Sequence, residues 1–158
     1  MKVGCIGFFD SMHLLPGHPK CGVPHGHTWK VEVIAEGPVV RGMVMDFADL
    51  KRAMKEVVAA FDHTDLNTLL PIPTCEYITF ELLRRLKERV PQKLTIRVWE
   101  GEGKWAELEE APGVLEQARA AIDEAKALKR NGTPITCEVG RAYEMGLMSR
   151  GGIARLMV

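Results

Sequence analysis

Apolar and polar residues follow strand-like patterns in the N-terminal part of the chain. Residues 2–15 favour an extended strand, with Gly7 as a position prone to a β-bulge. The proline and glycine residues over 16–19 would not be tolerated in a helix and indicate a loop. Apolar and polar residues alternate over 28–34, which predicts a half-buried second strand that stops at Gly37.

The pattern changes to a helical period after residue 46. Asp46 is a natural N-cap, and the following apolar residues recur at helical spacing: Phe47, Leu50, Met54, Val57, Val58 and Phe61. A second helix is predicted from Thr74, which can cap it, to about Pro91. Its apolar stripe consists of Ile78, Leu82, Leu83 and Leu86. Each helix therefore has one apolar face that can pack against a sheet.

Alternation returns in the next part of the chain. Residues 93–100 predict a third strand, and a turn over 101–103 leads back through a fourth strand over 105–108. The element order is two strands, two helices and two strands. This order predicts an α+β fold, with both helices stacked on one face of an antiparallel sheet.

A Pro-Gly pair separates this unit from a C-terminal extension. Residues 1–111 are expected to form one domain, and residues 112–158 an extension to it. Strong helix formers over 114–130 present one apolar face: Leu115, Ala118, Ile122, Ala125 and Leu128. Beyond residue 131 the sequence is rich in glycine and methionine without a clean period, which indicates an irregular or partner-ordered tail.

Composition and charge exclude several classes of function. The 158 residues include 21 basic and 21 acidic side chains, so we expect no electrostatic attraction to nucleic acid or to an anionic membrane. No apolar run approaches the length of a membrane span, and the N-terminus lacks the features of a secretory signal. The widely spaced cysteines form no CxxC pair: Cys5, Cys21, Cys75 and Cys137. Reduced thiols in a cytoplasm are therefore expected.

The histidines are concentrated near the start of the second strand. In an extended segment, His25 and His27 lie at i and i+2 and face the same side. His13 can supply a third imidazole from the neighbouring strand. Three neutral nitrogens with an open fourth position are typical of a catalytic zinc ion. His18, in the loop rich in proline and glycine, is expected to be an ordinary polar residue without a metal.

Three further residues are candidates for proton transfer. Cys21 would ordinarily be a small buried apolar residue. It lies, however, beside Lys20 and the expected metal, which both favour the reactive thiolate. Asp62 can orient the imidazole of His63, although the side chains of adjacent residues rarely point together. The remaining cysteines lack such neighbours and are interpreted as structural.

Three polar residues have both a structural and a binding interpretation. Glu100 is either an exposed strand end or a buried carboxylate that binds a flat amino-heterocycle. Thr74 and Glu76 are either a helix cap and a first-turn acid or part of a segment whose amides bind a ligand.

Together these segments resemble the 6-pyruvoyltetrahydropterin synthase and 6-carboxytetrahydropterin synthase family. The resemblance covers residues 2 to about 110. It rests on residues 9–13, 21–27, 42–51, 62–67, 73–76 and 98–100. It implies a T-fold, in which antiparallel sheets from several subunits close into a barrel. It also implies a hexamer of two stacked trimers with active sites between subunits.

The resemblance also implies a role for each candidate residue. The zinc ligands would be His13, His25 and His27. Cys21 matches the catalytic cysteine, and Asp62 and His63 match acid–base partners contributed by the adjacent subunit. The pterin ring would be anchored by Glu100 and contacted by a second segment that contains Thr74 and Glu76.

The implied substrate is 7,8-dihydroneopterin triphosphate. Family members either eliminate triphosphate to give 6-pyruvoyltetrahydropterin, or also release acetaldehyde and leave 6-carboxytetrahydropterin on the route to 7-deazaguanine tRNA bases. Residues 42–47 and the short loop between Cys21 and His25 look closer to the carboxy-forming branch. A non-catalytic oligomer that binds a pterin or a metal is the alternative from a different class. A third possibility is that the tail completes or plugs the site.

Overall fold

The computed structural model describes residues 1–130, so the predicted irregular tail from residue 131 lies outside the described residues. Eight elements follow one another along the chain: β1 (Lys2–His13), β2 (His25–Glu36), α1 (Phe47–Val58), α2 (Leu66–Leu69), α3 (Cys75–Lys87), β3 (Lys93–Glu100), β4 (Lys104–Glu109) and α4 (Val114–Arg130). The predicted order of strands and helices is confirmed, with α2 as an additional short helix.

The four strands form one antiparallel sheet in the order β1-β2-β3-β4. The pairing of β1 with β2 continues without interruption from Lys2 opposite Glu36 to His13 opposite His25. The bulge expected at Gly7 is therefore absent, and the strand ends two residues before the expected position. Gly7 serves close packing instead, because a Cβ atom there would lie 2.8 Å from Cε of Met54 in α1.

Helices cover one face of the sheet and form the core with it. On β2, every second side chain is buried against the helices: Trp29, Val31, Val33 and Ala35. Phe9 of β1 stacks on Trp29 with a centroid distance of 5.9 Å. The predicted stripe of α1 is confirmed for Leu50, Met54 and Val57 but is wrong for Phe47, which is 59% exposed. Phe47 is the first residue of α1 and lies outside the contact between this helix and the sheet.

Side-chain caps begin the helices. Asp46 caps α1 by accepting a hydrogen bond from the amide of Ala48 at 2.7 Å. The hydroxyl of Thr74 accepts from the amide of Tyr77 at the start of α3. Both caps were predicted. Helix α2 has only four residues and gives no periodic signal, and its cap Asp65 is the one local sign of it.

Helix α4 lies against α3, outside the sheet. Ala118, Ile122 and Ala125 are buried in this contact, as the apolar face predicted. The hydroxyl of Tyr77 in α3 donates a hydrogen bond to the carbonyl oxygen of Ala121 at 3.2 Å. Small side chains on α4 therefore allow the two helices to approach closely. No helix within residues 1–130 is both long and apolar enough to cross a membrane.

The opposite face of the sheet is open in the described chain. It carries exposed apolar side chains, including Phe8 and Trp105. Between them lies a charged row, in which Arg97 pairs with Glu32 at 3.1 Å and with Glu107. Among residues 1–130, no further strand pairs with the outer edges of β1 and β4. This face and these edges are available to a second molecule.

We predict that Leu82→Ala lowers the free energy of unfolding by about 2–5 kcal/mol, because it leaves a cavity where a fully buried side chain packs. Urea denaturation at a fixed protein concentration measures this loss. Leu69→Ala is the matched control, since Leu69 is 37% exposed, and it should cost well under half as much. Equal losses for the two variants would contradict the described core.

Candidate metal centre and active site

Strand pairing brings the three predicted histidines together. His13 and His25 are direct partners across β1 and β2, and His27 follows two residues later on the same face. Glu100, the last residue of β3, lies opposite Trp29 and adds a carboxylate. The four ligand atoms of His13, His25, His27 and Glu100 all lie within 4.8 Å of one another.

Backbone carbonyl groups orient two of these imidazoles. Nδ1 of His13 donates to the carbonyl oxygen of Pro73 at 2.7 Å, and Nδ1 of His25 donates to that of Val23 at 2.8 Å. A carbonyl only accepts, so each ring carries its proton on Nδ1 and directs the lone pair of Nε2 into the cluster. The two Nε2 atoms are 3.1 Å apart. Two lone pairs cannot bond to each other, whereas nitrogens bound to one tetrahedral zinc ion lie about 3.3 Å apart.

The third imidazole also has a ring nitrogen without a hydrogen-bond partner. Nε2 of His27 is buried and makes no hydrogen bond, although it lies 3.0 Å from Oε1 of Glu100. The buried ring of Trp29 contacts His13 and His27 edge to face, at centroid distances of 5.3 and 5.5 Å. Three neutral nitrogens converge on one point above an apolar floor, with a carboxylate beside them. This donor set fits a zinc ion.

Burial and charge set the protonation of the cluster. Burial lowers the pKa of His13 and of His27, and this effect exceeds the opposite influence of Glu100. The imidazoles are therefore held neutral, as metal ligands must be. Burial alone would raise the pKa of Glu100, but a 2.8 Å hydrogen bond from Lys104 and its positive charge keep it below the usual value.

Lys104 is a site residue that the sequence analysis missed. It is the first residue of β4 and lies opposite Glu100 across the β3–β4 hairpin. Its own pKa is raised, first by the hydrogen bond to Glu100 and further by the negative charge of that carboxylate. The predicted turn over 101–103 was the available signal, because a hairpin brings the start of β4 back to the end of β3, but no register was predicted that would have placed Lys104 opposite Glu100.

Cys21 lies in an ordered loop between β1 and β2. Its amide donates to Nδ1 of His18 at 2.9 Å, and its carbonyl accepts from the amide of Leu15 at 2.8 Å. His18 therefore organises this loop and is not part of the metal cluster, as expected. The thiol of Cys21 is half-buried and free. Lys20 precedes it in the sequence, as expected, and Lys104 is a further cation close enough to interact with it electrostatically.

The other described cysteines are structural, as expected. The thiol of Cys75 donates to the carbonyl oxygen of Val98 at 3.1 Å, and burial raises its pKa to about 11. The thiol of Cys5 contacts the sulfur of Met54 at 3.7 Å, and burial raises its pKa as well. Both thiols stay protonated near neutral pH. Cys137 lies outside the described residues.

Asp62 and His63 form a hydrogen-bonded pair despite being adjacent. Oδ2 of Asp62 lies 3.0 Å from Nδ1 of His63. His63 adopts a left-handed backbone conformation with φ of 55°, which turns its ring towards the preceding carboxylate. The amide of Asp10 donates to Asp62 at 2.9 Å, and the amide of His63 donates to the carbonyl of Asp10 at 2.7 Å. The first of these bonds, and then the His63 imidazole, lower the pKa of Asp62.

The imidazole of His63 borders an open cavity. His63 is 80% exposed, and it lines a cavity of about 530 Å³ together with Asp10, Met12 and His27. Asp10 lies on the open face of β1, whereas His13 lies on the helix-covered face. Within residues 1–130, no hydrogen bond or ion pair joins Cys21 to either member of the pair.

The segment before α3 borders the metal cluster. Thr74 uses its hydroxyl to cap α3, and Glu76 is exposed in the first turn. The preceding residue, Pro73, holds His13 through its carbonyl oxygen. The structure thus places both predicted binding residues next to the support of a predicted metal ligand.

Comparisons with known proteins agree with this geometry. Residues 6–111 match the model of the family "6-pyruvoyl tetrahydropterin synthase". A relative from Archaeoglobus fulgidus, named "Putative 6-carboxy-5,6,7,8-tetrahydropterin synthase", is 50% identical over 109 residues, which are 68% of this chain and 95% of the relative. A relative from Pyrococcus furiosus, named "Dihydroneopterin monophosphate aldolase", is 38% identical over 88 residues, 54% of this chain and 77% of that protein.

Solved structures show the same fold. The 6-pyruvoyl tetrahydropterin synthase of Caenorhabditis elegans superimposes with a TM-score of 0.64 at 21% identity. The match covers 70% of this chain and 96% of that one. This likeness confirms the predicted T-fold, a four-stranded antiparallel sheet with helices.

We predict that His13→Ala, His25→Ala and His27→Ala each abolish stoichiometric binding of Zn²⁺, because each removes one of three converging nitrogens. Competition with a chromogenic chelator measures the affinity. His18→Ala is the matched control and should bind one ion per chain, since His18 lies outside the cluster.

Glu100→Gln tests the remaining member of the cluster. We expect it to retain the ion with at most a small loss of affinity, because the three imidazoles suffice to hold the ion. Loss of the ion in this variant alone would show instead that Glu100 is a fourth ligand.

Proposed function

The chain belongs to the 6-pyruvoyl tetrahydropterin synthase family, and we propose that within it this protein is a zinc-dependent 6-carboxytetrahydropterin synthase. The proposed reaction converts 7,8-dihydroneopterin triphosphate to 6-carboxy-5,6,7,8-tetrahydropterin and releases acetaldehyde and triphosphate. The observation that carries this proposal is the three-histidine cluster, in a chain 50% identical to nearly all of a relative with that name. A lyase of this kind would serve 7-deazaguanine (queuosine) biosynthesis in the cytoplasm.

Zinc would be held by the imidazoles of His13, His25 and His27. A zinc ion bound there acts as a Lewis acid on the hydroxyl groups of the substrate side chain. Burial lowers the pKa of His13 and of His27 and so keeps these two ligands neutral, and the carbonyls of Pro73 and Val23 fix the rings of His13 and His25.

Cys21, His63 and Asp62 would move the protons. In this proposal the thiolate of Cys21 accepts a proton from the substrate side chain. Asp62 holds the proton on Nδ1 of His63, so that Nε2 remains free to exchange a proton with the reacting group. The lowered pKa of Asp62 keeps its carboxylate ionised for this purpose.

Glu100 would recognise the pterin ring, with Thr74 and Glu76 as the second contact segment. The amino-pyrimidine edge presents donors in the geometry that a carboxylate accepts. Lys104 supports this role, because its hydrogen bond keeps Glu100 ionised and directed towards the cluster.

The active site would be completed between subunits of a hexamer made of two trimers. Two observations support this arrangement. The imidazole of His63 is exposed, and within residues 1–130 it forms no hydrogen bond or ion pair with Cys21 of its own chain. The outer edges of β1 and β4 lack a partner strand among the described residues, so they can pair between copies and close a barrel.

Two related reactions are the alternatives. The pyruvoyl-forming synthase shares the same site residues and differs only in retaining the side-chain carbons. The Pyrococcus furiosus relative supports a test with dihydroneopterin monophosphate as a second substrate. A non-catalytic pterin- or metal-binding oligomer is the alternative outside enzyme chemistry.

We expect the zinc-loaded protein to release acetaldehyde and triphosphate from 7,8-dihydroneopterin triphosphate and to form the 6-carboxy product. Mass spectrometry identifies the pterin, and an alcohol dehydrogenase assay detects the aldehyde. Cys21→Ala should keep its zinc and lose most of the turnover, by about 10²-fold or more, since it lacks the proposed base. A pterin product without acetaldehyde would favour the pyruvoyl-forming reaction. Binding without turnover would favour the non-catalytic alternative.

Mixing inactive variants tests the shared active site. If Cys21 of one subunit works with His63 of another, random reassembly of Cys21→Ala with His63→Ala chains restores about a quarter of the wild-type activity, because one site in four receives both intact residues. The double variant Cys21→Ala/His63→Ala, reassembled in the same way with either single variant, should restore nothing. A mixture that stays inactive while mass spectrometry shows mixed oligomers would place both residues in one subunit.

A further inference from the structure

Helix α4 lies beyond the part of the chain that matches the family, which ends at residue 111. It packs against α3, and two of its hydrogen bonds reach the ends of one segment, residues 66–77, which runs from α2 into α3. At one end of this segment, Nζ of Lys129 donates to the carbonyl oxygen of Asn67 at 3.0 Å. At the other end, the hydroxyl of Tyr77 donates to the carbonyl oxygen of Ala121 at 3.2 Å.

The same segment holds the strand end that carries a proposed zinc ligand. The side-chain amide of Asn67 forms two hydrogen bonds with the backbone of Leu14, accepting from its amide at 2.8 Å and donating to its carbonyl at 2.9 Å. Leu14 directly follows His13. Within the segment, the carbonyl oxygen of Pro73 orients the ring of His13 at 2.7 Å.

We propose that α4 is a strap that positions His13 for metal binding, with Lys129 and Tyr77 as the positioning residues. Asn67 holds Leu14, the residue after His13, and Pro73 holds the ring of His13. Both belong to the segment that α4 contacts by hydrogen bonds at Asn67 and at Tyr77. Burial of Ala118, Ile122 and Ala125 fixes the helix itself against α3. The proposal rests on the metal centre of the proposed function and extends it to residues outside the family domain.

The polar contacts of α4 lie at residues that also border the supports of His13. The apolar face of α4 anchors the helix against α3. Lys129 in addition contacts the carbonyl of Asn67, and Tyr77 contacts the carbonyl of Ala121, so that α4 is bonded on both sides of Pro73, which holds His13. Residues that hold a metal-bound histidine are known to influence affinity by about 10–100-fold, even though they do not touch the ion. Helix α4 would influence metal affinity in the same way, but through the segment that holds His13 and not through a direct contact with His13.

The test uses the full chain with Zn²⁺ or Co²⁺ alone. We expect Tyr77→Phe combined with Lys129→Met to weaken metal affinity by about tenfold, at the lower end of the influence of such supports, and to change the visible spectrum of bound Co²⁺. Each single variant should show part of the loss. Lys129→Arg should restore most of it, because a guanidinium can also donate to the Asn67 carbonyl.

Lys126→Met is the matched control. Lys126 lies one turn earlier on α4 and pairs with Asp123 of the same helix at 2.8 Å, so its removal should leave metal affinity unchanged. If the double variant binds Co²⁺ with wild-type affinity and spectrum, the strap is refuted, even where its melting temperature falls. A wild-type chain that binds no metal would overturn both the strap and the metal centre. Tight metal binding without pterin turnover would overturn the proposed reaction alone and leave the strap to be decided by the affinities.

Discussion

The pairing register of β1 with β2 is the constraint on which the site depends. Because His13 lies opposite His25, and His27 shares the face of His25, three imidazoles meet without any adjustment of the backbone. A shift of one residue in this register would move every side chain of β1 to the other face of the sheet. The apolar side chains of Phe9 and Trp29 fix the register, since one face must remain buried. The same hydrophobic pattern thus determines both the core and the geometry of the histidine cluster.

Burial creates the chemistry of this centre as well as its geometry. The floor formed by Trp29 removes water from one side of the cluster, which disfavours protonated imidazole and leaves lone pairs directed at one point. Such an arrangement of neutral acceptors is unfavourable without a cation, because the nitrogens have no donor to bond. Lys104 stabilises the single negative charge nearby, so Glu100 remains ionised without protonating the histidines.

Local patterns predicted most of the fold, because strand alternation, helical periodicity and capping residues act over only a few positions. The histidine pair of β2 was predictable for the same reason, since the i, i+2 spacing fixes a shared face. Contacts that depend on long-range packing were not predictable. Lys104 required the register of the hairpin, and the bond from Asn67 to Leu14 required the position of α2. The pairing of Asp62 with His63 required a left-handed backbone that no side chain in the sequence signals.

The distribution of polar groups between the two faces of the sheet has a consequence for assembly. The cluster of imidazoles lies at the helix-covered face. The backbone of Asp10 instead forms hydrogen bonds with Asp62 and His63, and the exposed ring of His63 lines a cavity together with Asp10. Hydrogen bonds of this kind pre-organise a histidine for proton transfer. The benefit is reduced if the ring remains in water, because solvent competes for the same hydrogen bonds. A second subunit that covers the open face would remove this competition and would also bury Phe8 and Trp105. The Asp62–His63 pair and the exposed apolar surface would therefore be covered together in the proposed assembly, whereas the histidine cluster is already formed within one chain.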